Sequence, residues 1–501
     1  MRILLFGLLF TLVASASAQE RSLPFTAFHQ LTDSLGAISA IPDAAARTAA
    51  LDALWTDLVT EQQVPFRLAD SAAFLYRTAS SPVQVAGDHT GWSPQTMAPL
   101  AGTNLWMRVE ALPPDARLDY KLIRAGTWIL DPNNPHQQLS GFGPNSELRM
   151  PAWVYPQETV RQPGVPQGTY GANQTLASTN LGYSITYRVW TPAGYDGSVP
   201  LPVVYITDGH EYAADAMGAV RVVMDNLIHE ERMEPAIAVF VDPRVGGQNR
   251  RQEQYVQNPA FAAFMAEELV PVIDAAYSTR ADRDSRVILG TSLGGLFSAY
   301  LGILHPDVFG RLAIQSPAFW VSESAQWWTG PSIFEMMAEA APGSFTVYMH
   351  AGSFFDGLER ARQMRDILQA NGHDLTYAER PQGHSWGHWR SEMPHLLESL
   401  VPARATPTAP FGPAPLAHRL EVFPNPSREQ LTIRFILDAP SNVRLDVFDV
   451  LGRRVATLLD DHLPAGPHAA PFDATNVAAG RFVARLRAGD QTVTRSLTLR
   501  R

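Results

Sequence analysis

Residues 286–304 read RVILGTSLGGLFSAYLGIL. Arg286–Leu289 ends in the apolar run Val287–Leu289, as in a buried strand, and Leu296–Leu304 has the composition of a helix. Ser292 lies between them, at the centre of a Gly-x-Ser-x-Gly turn that occurs once in the chain. Such a turn brings its backbone segments so close together that only glycine fits on either side of the serine. The stretch therefore predicts a strand–turn–helix unit with an accessible serine at the end of the strand.

The pattern around this unit repeats the alternation of strand and helix from residue 181 to residue 400. Apolar strand-like runs occur at 187–190, 203–206, 236–241, 287–289, 312–315 and 345–350. Helical stretches separate them, which is typical of a layered α/β domain with a mostly parallel sheet.

The segments before this domain differ in character. Residues 1–18 have a basic start, a short apolar run and a small-x-small cleavage site, as in a secretory signal peptide. Residues 19–64 have helical periodicity. Residues 65–150 alternate in short runs between turn signals, which predicts a β-sandwich of about seven strands. Residues 151–180 are rich in Pro, Gly, Gln and Thr and are predicted to be a linker.

Two segments follow the α/β domain. Residues 401–418 are rich in Pro and Ala and are predicted to be an extended spacer. Residues 419–501 return to period-two patterning, which predicts a small C-terminal β-sandwich. The predicted fold class is thus an α/β domain with a β-sandwich on each side.

Composition narrows the classes of function. The 501 residues carry a net charge of −10, which argues against binding to a nucleic-acid backbone. The absence of cysteine excludes disulfides, thiolate nucleophiles and cysteine-ligated metals. After the predicted signal, no run of about 18 apolar residues remains, so no integral membrane segment is expected in the mature chain.

A serine hydroxyl is a weak nucleophile and needs a histidine base that is oriented by an acid. On this type of strand–helix turn the chain order is serine, acid, histidine. Asp356 follows the run 345–350 in a loop and is the predicted acid, with Glu359 as the alternative. A last short strand is predicted at Leu375–Glu379, and His384 follows it in a loop and is the predicted base. His388 is four residues further on, but a His–His metal site would need a third ligand, so no metal site is predicted.

Acyl transfer also requires backbone N–H groups that stabilise an oxyanion. One is expected from Leu293, directly after the serine. The second is expected from the loop after Val203–Ile206, at Gly209 or His210. Asp208 in the same loop has an alternative interpretation as a turn or cap residue.

The α/β region resembles the esterase D and enterochelin esterase branch of the α/β-hydrolases. The matching stretches are 203–209, 251–255, 264–273, 290–295, 305–310, Ser316-Pro317, Phe319-Trp320, 383–386 and Trp389-Arg390. The resemblance covers about residues 181–400 and implies a serine nucleophile at Ser292, a base at His384 and an acid at Asp356. It leaves the role of Arg251 open.

The flanking segments resemble known modules as well. Residues 65–150 are similar to the immunoglobulin-like module of enterochelin esterases, which is related to carbohydrate-binding modules. Its Trp92, Trp106 and Trp128 are interpreted as core or interdomain aromatics, or alternatively as a sugar-stacking platform. Residues 420–501 resemble the C-terminal sorting domain of type IX secretion, which implies export through the periplasm and a secreted or cell-surface location.

The leading hypothesis is a secreted serine carboxylic-ester hydrolase that needs no metal or organic cofactor. Its expected substrates are small-molecule siderophore esters or polysaccharide acyl esters such as feruloyl or acetyl esters, and its expected partner is the type IX secretion machinery. One alternative is a catalytically silent surface glycan-binding protein on a hydrolase scaffold. Another is a serine peptidase of the same fold.

Overall fold

A computed structural model describes residues 25–324 and 330–403, and residues 420–500 apart from 424, 426, 428–429, 438–439, 450–452, 465 and 490. The predicted signal peptide 1–18 lies outside the described residues, as does nearly all of the predicted spacer 401–418. The chain divides into two compact units, Met1–Arg404 and Ala405–Arg501.

The first unit opens with two helices, α1 (Phe28–Ser39) and α2 (Ala44–Thr60). The Asp43 carboxylate accepts the N–H of Ala46 at 2.8 Å and caps α2. Apolar side chains of both helices pack on the first strands that follow: Leu31, Leu35, Leu51 and Leu58. The helical pair thereby covers one face of the sandwich.

Ten strands then form two facing sheets. They are β1 (Phe66–Leu68), β2 (Ser71–Arg77), β3 (Val83–Gly87), β4 (Gln95–Thr96), β5 (Ala98–Pro99), β6 (Leu105–Ala111), β7 (Arg117–Arg124), β8 (Thr127–Ile129), β9 (Gln137–Ser140) and β10 (Gly143–Arg149). The sheets are β1-β2-β6-β5 and β4-β3-β7-β10-β9, with β8 paired to β7. Phe74, Leu118 and Tyr120 lie in the core between them. The strands beyond the predicted seven are mostly two or three residues long, too short to show alternation.

The central sheet of the unit comes next. Its strands and a small neighbouring hairpin are β11 (Thr169–Tyr170), β12 (Gln174–Ala177), β13 (Ser184–Thr191), β14 (Val203–Ile206), β15 (Ile237–Asp242), β16 (Arg244–Val245), β17 (Gln248–Asn249), β18 (Arg286–Thr291), β19 (Arg311–Gln315), β20 (Thr346–Phe354) and β21 (Asp374–Gly383). The order is β11-β13-β15-β14-β18-β19-β20-β21, and the pairs from β15 to β21 are all parallel. The predicted, mostly parallel sheet is confirmed.

Helices cover both faces of this sheet. They are α3 (Gly209–Tyr212), α4 (Val220–His229), α5 (Arg251–Tyr255), α6 (Pro259–Ala263), α7 (Val270–Ala276), α8 (Leu293–Leu304), α9 (Val321–Ser324), α10 (Ile333–Glu339), α11 (Leu358–Ala370) and α12 (Trp386–Leu400). Strand β14 shows the two-sided burial, because Tyr205 packs in one apolar cluster and Val204 and Ile206 in the other. A strand buried on both faces reads as a continuous apolar run, which is why the sequence revealed it.

The sheet begins earlier than the sequence predicted. Strands β11 and β12 lie within the predicted linker 151–180 and pair with β13. The Arg188 guanidinium on β13 donates to the carbonyl of Gly171 at 2.7 Å. Strands of two and four residues carry too little periodicity to be distinguished from a linker by sequence, so only the pairing partner reveals them.

The second unit has seven strands: β22 (Leu420–Phe423), β23 (Gln430–Leu437), β24 (Ser441–Asp449), β25 (Arg454–Leu463), β26 (Gly466–Asp473), β27 (Gly480–Ala488) and β28 (Gln491–Leu499). They form the sheets β22-β23-β26 and β25-β24-β27-β28 around one apolar core. Parts of the predicted sorting motifs lie outside the described residues, at 424, 426 and 451–452. In the described part of the chain, every helix is too short or too polar to cross a bilayer.

Candidate active site

Ser292 occupies the turn between β18 and α8. Its backbone has φ 57° and ψ −118°, a conformation that residues other than glycine rarely adopt. The flanking glycines explain how the turn fits. A Cβ at Gly290 would lie 2.2 Å from the carbonyl oxygen of Gly294, and one at Gly294 would lie 2.5 Å from Oγ1 of Thr207. The predicted strand–turn–helix unit is therefore present, and its glycines are required by sterics.

Helix α8 begins at Leu293, directly after the serine. The first N–H groups of a helix have no partner within it and carry a partial positive charge. The Leu293 N–H is therefore a suitable donor to an oxygen that becomes negative beside Ser292.

His384 and Asp356 come together at the carboxyl ends of β21 and β20. Nδ1 of His384 lies 2.5 Å from Oδ1 of Asp356, and the Asp356 side chain has no exposed surface. The other carboxylate oxygen accepts the Ser316 hydroxyl at 2.6 Å and the Gly352 N–H at 2.5 Å. These contacts fix the carboxylate and leave one of its oxygens for the histidine.

The charge state of Asp356 follows from these neighbours. Burial raises the pKa of its carboxyl group. The hydrogen bond and charge of His384, with smaller contributions from His388 and Ser316, outweigh burial and hold that pKa below its ordinary value. Asp356 is therefore an ionised carboxylate at neutral pH, as an acid that orients a histidine must be.

The structure separates the two predicted acids. Glu359 lies in the first turn of α11 with 83% of its side chain exposed and pairs with Arg362 at 2.9 Å. Asp356 is buried against His384. His388, the other histidine of this region, is buried with Nδ1 3.2 Å from the carbonyl oxygen of Gly383 and 3.7 Å from Oδ2 of Asp356. Among the described residues, no group of three or more His, Asp or Glu side chains is arranged to hold a metal ion.

The loop after β14 brings Asp208 and Gly209 to the same edge of the sheet. The N–H of Asp208 donates to the Tyr255 hydroxyl at 2.9 Å, so it is already used. Gly209 begins α3 and packs so tightly that a Cβ would lie 2.4 Å from the carbonyl carbon of Phe240. The His210 ring faces away, with Nδ1 3.6 Å from Asp242. The predicted second oxyanion donor at Gly209 or His210 would therefore be a main-chain N–H of this turn and not the His210 ring.

Ser292 and His384 line one cleft of about 660 Å³ between the sandwich and the central sheet. The Trp389 ring packs edge-on against His384, with centroids 5.0 Å apart. Aromatic side chains from both sides make up much of the cleft wall: Trp92, Trp128, Phe142, Trp386 and Trp389.

Sequence reasoning assigned no role to several residues of this cleft. The Arg251 guanidinium holds the Asp208 carboxylate at 2.9 and 3.1 Å and approaches the carbonyl oxygen of Thr291 at 3.4 Å. Lys121, the one lysine of the chain, also lines the cleft. The sequence shows that this lysine is unique, but only the packing of the sandwich against the central sheet places it in the cleft.

The three tryptophans predicted as core or interdomain residues divide between those roles. Trp106 donates its indole N–H to the carbonyl of Thr78 and packs on the sandwich core. Trp92 and Trp128 lie in the cleft with their rings stacked, at a centroid distance of 6.5 Å. Trp128 is 46% exposed, so it offers a ring face to a bound molecule.

Comparison with known families identifies two segments of the chain. Residues 178–400 match the putative esterase family, and residues 421–500 match the secretion system C-terminal sorting domain. The second match indicates that the chain is exported by the type IX route to a secreted or cell-surface location.

Curated relatives match the esterase region. The iron(III) enterobactin esterase of Escherichia coli strain K12 is 28% identical over 267 residues, which are 47% of this chain and 64% of that protein. An uncharacterised protein of Bacillus subtilis strain 168, YjcH, is 24% identical over 229 residues, 45% of this chain and 94% of that protein. An endo-1,4-beta-xylanase/feruloyl esterase of Xylanibacter ruminicola is 27% identical over 162 residues, 30% of this chain and 22% of that protein.

Solved structures share the fold over about two thirds of this chain. The enterobactin esterase of Shigella flexneri in the presence of enterobactin has a TM-score of 0.56 at 22% identity and covers 67% of this chain and 94% of its own. The ferric enterobactin esterase of Salmonella typhimurium has a TM-score of 0.56 at 21% identity, with 66% and 93% covered. The match of residues 178–400 to the putative esterase family, together with these relatives, supports a carboxylic-ester hydrolase that is followed in the chain by a match to the type IX secretion sorting domain.

Proposed function

We propose that Ser292, His384 and Asp356 form a catalytic triad that hydrolyses carboxylic esters. The observation that carries this proposal is the 2.5 Å contact between Nδ1 of His384 and the buried Asp356 carboxylate, in a cleft that Ser292 also lines. The carboxylate fixes the ring with its other nitrogen, Nε2, available to a nucleophile.

The reaction has two halves. The Ser292 hydroxyl attacks the acyl carbonyl while Nε2 of His384 takes its proton, and the oxyanion that forms is stabilised by the N–H of Leu293 and by a main-chain N–H at Gly209 or His210. The intermediate then releases the alcohol, which receives the proton from His384. In the second half, His384 activates a water molecule that hydrolyses the acyl-enzyme.

For the substrate, we propose esters whose acyl group carries an aromatic ring. The stacked pair Trp92 and Trp128, together with Trp386 and Trp389, supports this choice, because flat aromatic walls favour flat apolar rings. Two sources share that chemistry, namely catecholate siderophores and feruloylated polysaccharides. The enterobactin esterase and feruloyl esterase relatives act on esters of these kinds, as their names state.

A second, polar cavity supports the polysaccharide source. It has a volume of about 710 Å³ and shares Asn249 with the cleft at Ser292. Amide side chains are prominent in its lining: Gln248, Asn249, Gln252, Gln257 and Asn258. Amides both donate and accept hydrogen bonds, as recognition of a sugar hydroxyl requires. We therefore favour a feruloylated polysaccharide, with the sugar chain directed toward this cavity.

Chromatography of the released acids tests the proposal, with Ser292→Ala as the blank. Ferric enterobactin, a feruloylated xylo-oligosaccharide and acetylated xylan are each incubated with both proteins. Release of ferulate by the wild type alone would support the proposal, and release of dihydroxybenzoyl-serine would move the substrate to siderophores. Release of acetate alone would contradict the aromatic acyl group, and equal rates for the two proteins would contradict the triad.

A further inference from the structure

Both chain neighbours of His384 contact the N-terminal sandwich. On one side, a Cβ at Gly383 would lie 2.2 Å from Cγ of Asp88, so the backbone rests directly on that carboxyl group. On the other side, the Ser385 hydroxyl accepts a hydrogen bond from Nη1 of Arg117 at 2.8 Å. The proposed base therefore lies in a short loop that a different sheet fixes from both directions.

Arg117 distributes its guanidinium nitrogens over two sets of partners. Nε lies 2.6 Å from Glu147, and Nη2 lies 2.6 Å from Asp119, both within the sandwich. Nη1 donates a hydrogen bond to the central domain, at Ser385. The side chains of Arg117 and its two carboxylate partners are at most 1% exposed, so no water competes for these contacts. A planar guanidinium held at two of its nitrogens presents the third in a fixed direction.

The chain just after His384 leaves space for the Arg117 guanidinium. A Cβ at Gly387 would lie 2.0 Å from Cζ of Arg117, so the guanidinium packs against bare backbone three residues after His384. Asp88 is also held in place, because its carboxyl oxygens accept the N–H of Asp119 at 2.7 Å and the indole N–H of Trp92 at 3.2 Å. The contacts at Gly383, Ser385 and Gly387 therefore lead back to one buried network.

The sandwich also contacts the chain next to Asp356, the proposed acid. A Cβ at Gly91 of the sandwich would lie 2.9 Å from the ring of Phe355, the residue before Asp356. The sandwich thus contacts the chain next to both His384 and Asp356.

We propose that the sandwich positions the loop that bears His384, and that Arg117 is the positioning residue, acting through Ser385. The proposal rests on the proposed role of His384 as the base. A displacement of the imidazole by a fraction of an ångström weakens proton transfer without altering how substrate binds. The sandwich is then part of the catalytic apparatus, in addition to any contact that it makes with substrate.

Three variants of the full chain isolate the Arg117 contact. Ser385→Ala removes the acceptor, Ser385→Thr keeps a hydroxyl, and Arg117→Lys keeps the charge but loses the third directed donor. Arg149→Lys is the matched control, because Arg149 pairs with the other oxygen of Glu147 at 2.5 Å and is itself a sandwich residue. A loss that comes only from a weakened ion pair with Glu147 would appear in both arginine variants.

Two measurements are made on each variant. With p-nitrophenyl acetate, we expect Ser385→Ala and Arg117→Lys to lower kcat about tenfold while KM changes less than about twofold. Ser385→Thr and Arg149→Lys are expected to retain most of the wild-type kcat. By hydrogen–deuterium exchange, we expect the peptide spanning 380–390 to exchange about tenfold faster in the two impaired variants, with the peptide spanning 286–291 unchanged.

The outcomes separate this proposal from the triad. Unchanged exchange in 380–390 would overturn the positioning role, whatever the activity. Faster exchange with wild-type kcat, or equal losses in Arg117→Lys and Arg149→Lys, would also overturn it. If the wild type hydrolyses p-nitrophenyl acetate no faster than Ser292→Ala does, the proposed triad fails, and the exchange data alone decide whether Arg117 holds the loop.

Discussion

The Ser316 hydroxyl lies 2.6 Å from Oδ2 of Asp356, on the side of the carboxylate opposite His384. Ser316 follows β19, and its backbone φ of 40° is unusual for a serine. The neighbouring parallel strand thus supplies a donor that keeps the carboxylate turned toward the histidine. The pairing of His384 with Asp356 depends on three adjacent strand ends, those of β19, β20 and β21.

Replacement of the proposed nucleophile by Ser292→Ala should lower kcat by about 10⁴-fold or more, since the hydroxyl forms the acyl-enzyme. Initial rates with p-nitrophenyl acetate measure the loss, and Ser399→Ala serves as a half-buried serine control on α12. The melting temperature should stay close to that of the wild type, because alanine keeps the Cβ that strains the backbone at residue 292 and loses only the hydroxyl group. Residual activity above about one tenth of wild type would contradict the role of Ser292.

The two candidate acids predict opposite results for matched substitutions. Asp356→Asn should lower kcat by about 10⁴-fold, because an amide at this place favours the wrong histidine tautomer. Glu359→Gln should leave kcat unchanged, because its side chain is exposed and pairs with Arg362. Steady-state kinetics on both variants decide the matter, and the reverse ranking would assign the acid to Glu359.

Asp88 gives the wild type a distinctive dependence of stability on pH. Burial and the nearby Asp119 raise the pKa of its carboxyl group to about 8. The folded protein then keeps this proton up to about pH 8, whereas the unfolded chain releases it near pH 4. The unfolded state therefore binds fewer protons between these values, and the contribution of Asp88 to the free energy of unfolding falls as pH rises.

Asp88→Asn removes that contribution. The melting temperature of the variant minus that of the wild type should increase steadily from about pH 5 to about pH 8, as calorimetry can measure. Asp33→Asn on α1 is the exposed control for the removal of a carboxyl group. A difference for Asp88→Asn that does not change with pH would show that its carboxyl group is ionised throughout this range.

The tryptophan pair should select for aromatic acyl groups. Trp128→Ala removes a ring that is 46% exposed in the cleft. We expect KM for methyl ferulate to rise about two- to tenfold, as the loss of one aromatic contact implies, with little change for p-nitrophenyl acetate. Trp55→Ala is a control on α2, away from the cleft. An equal rise in KM for both esters would contradict an acyl-ring contact.

Local sequence was sufficient for the serine turn and for the position of the histidine. The apolar run before Gly290 fixes a buried strand, and the glycine spacing fixes the turn, because both follow from sterics within a few residues. His384 was predicted for a related reason, since it comes directly after the last strand, where the carboxyl ends of a parallel sheet meet.

The choice between Asp356 and Glu359 could not be made with certainty from sequence. They lie within four positions of each other, Asp356 in the loop after β20 and Glu359 in the first turn of α11, and what separates them is burial and the distance to His384, which follows another strand. The short strands within 151–180 were missed because two to four residues show no periodicity. In each case the deciding information is the identity of a partner that lies far away in the chain.

The sequence by itself determined the order of the modules, the mostly parallel sheet and the serine turn, because apolar periodicity and glycine sterics act over short stretches of chain. Only the tertiary structure decided that the sandwich meets the histidine loop, through a hydrogen bond between Arg117 and Ser385, which are 268 positions apart. A buried guanidinium is tolerated only where its partners converge on it. No local sequence pattern predicts that convergence, because it forms only when separate sheets pack together.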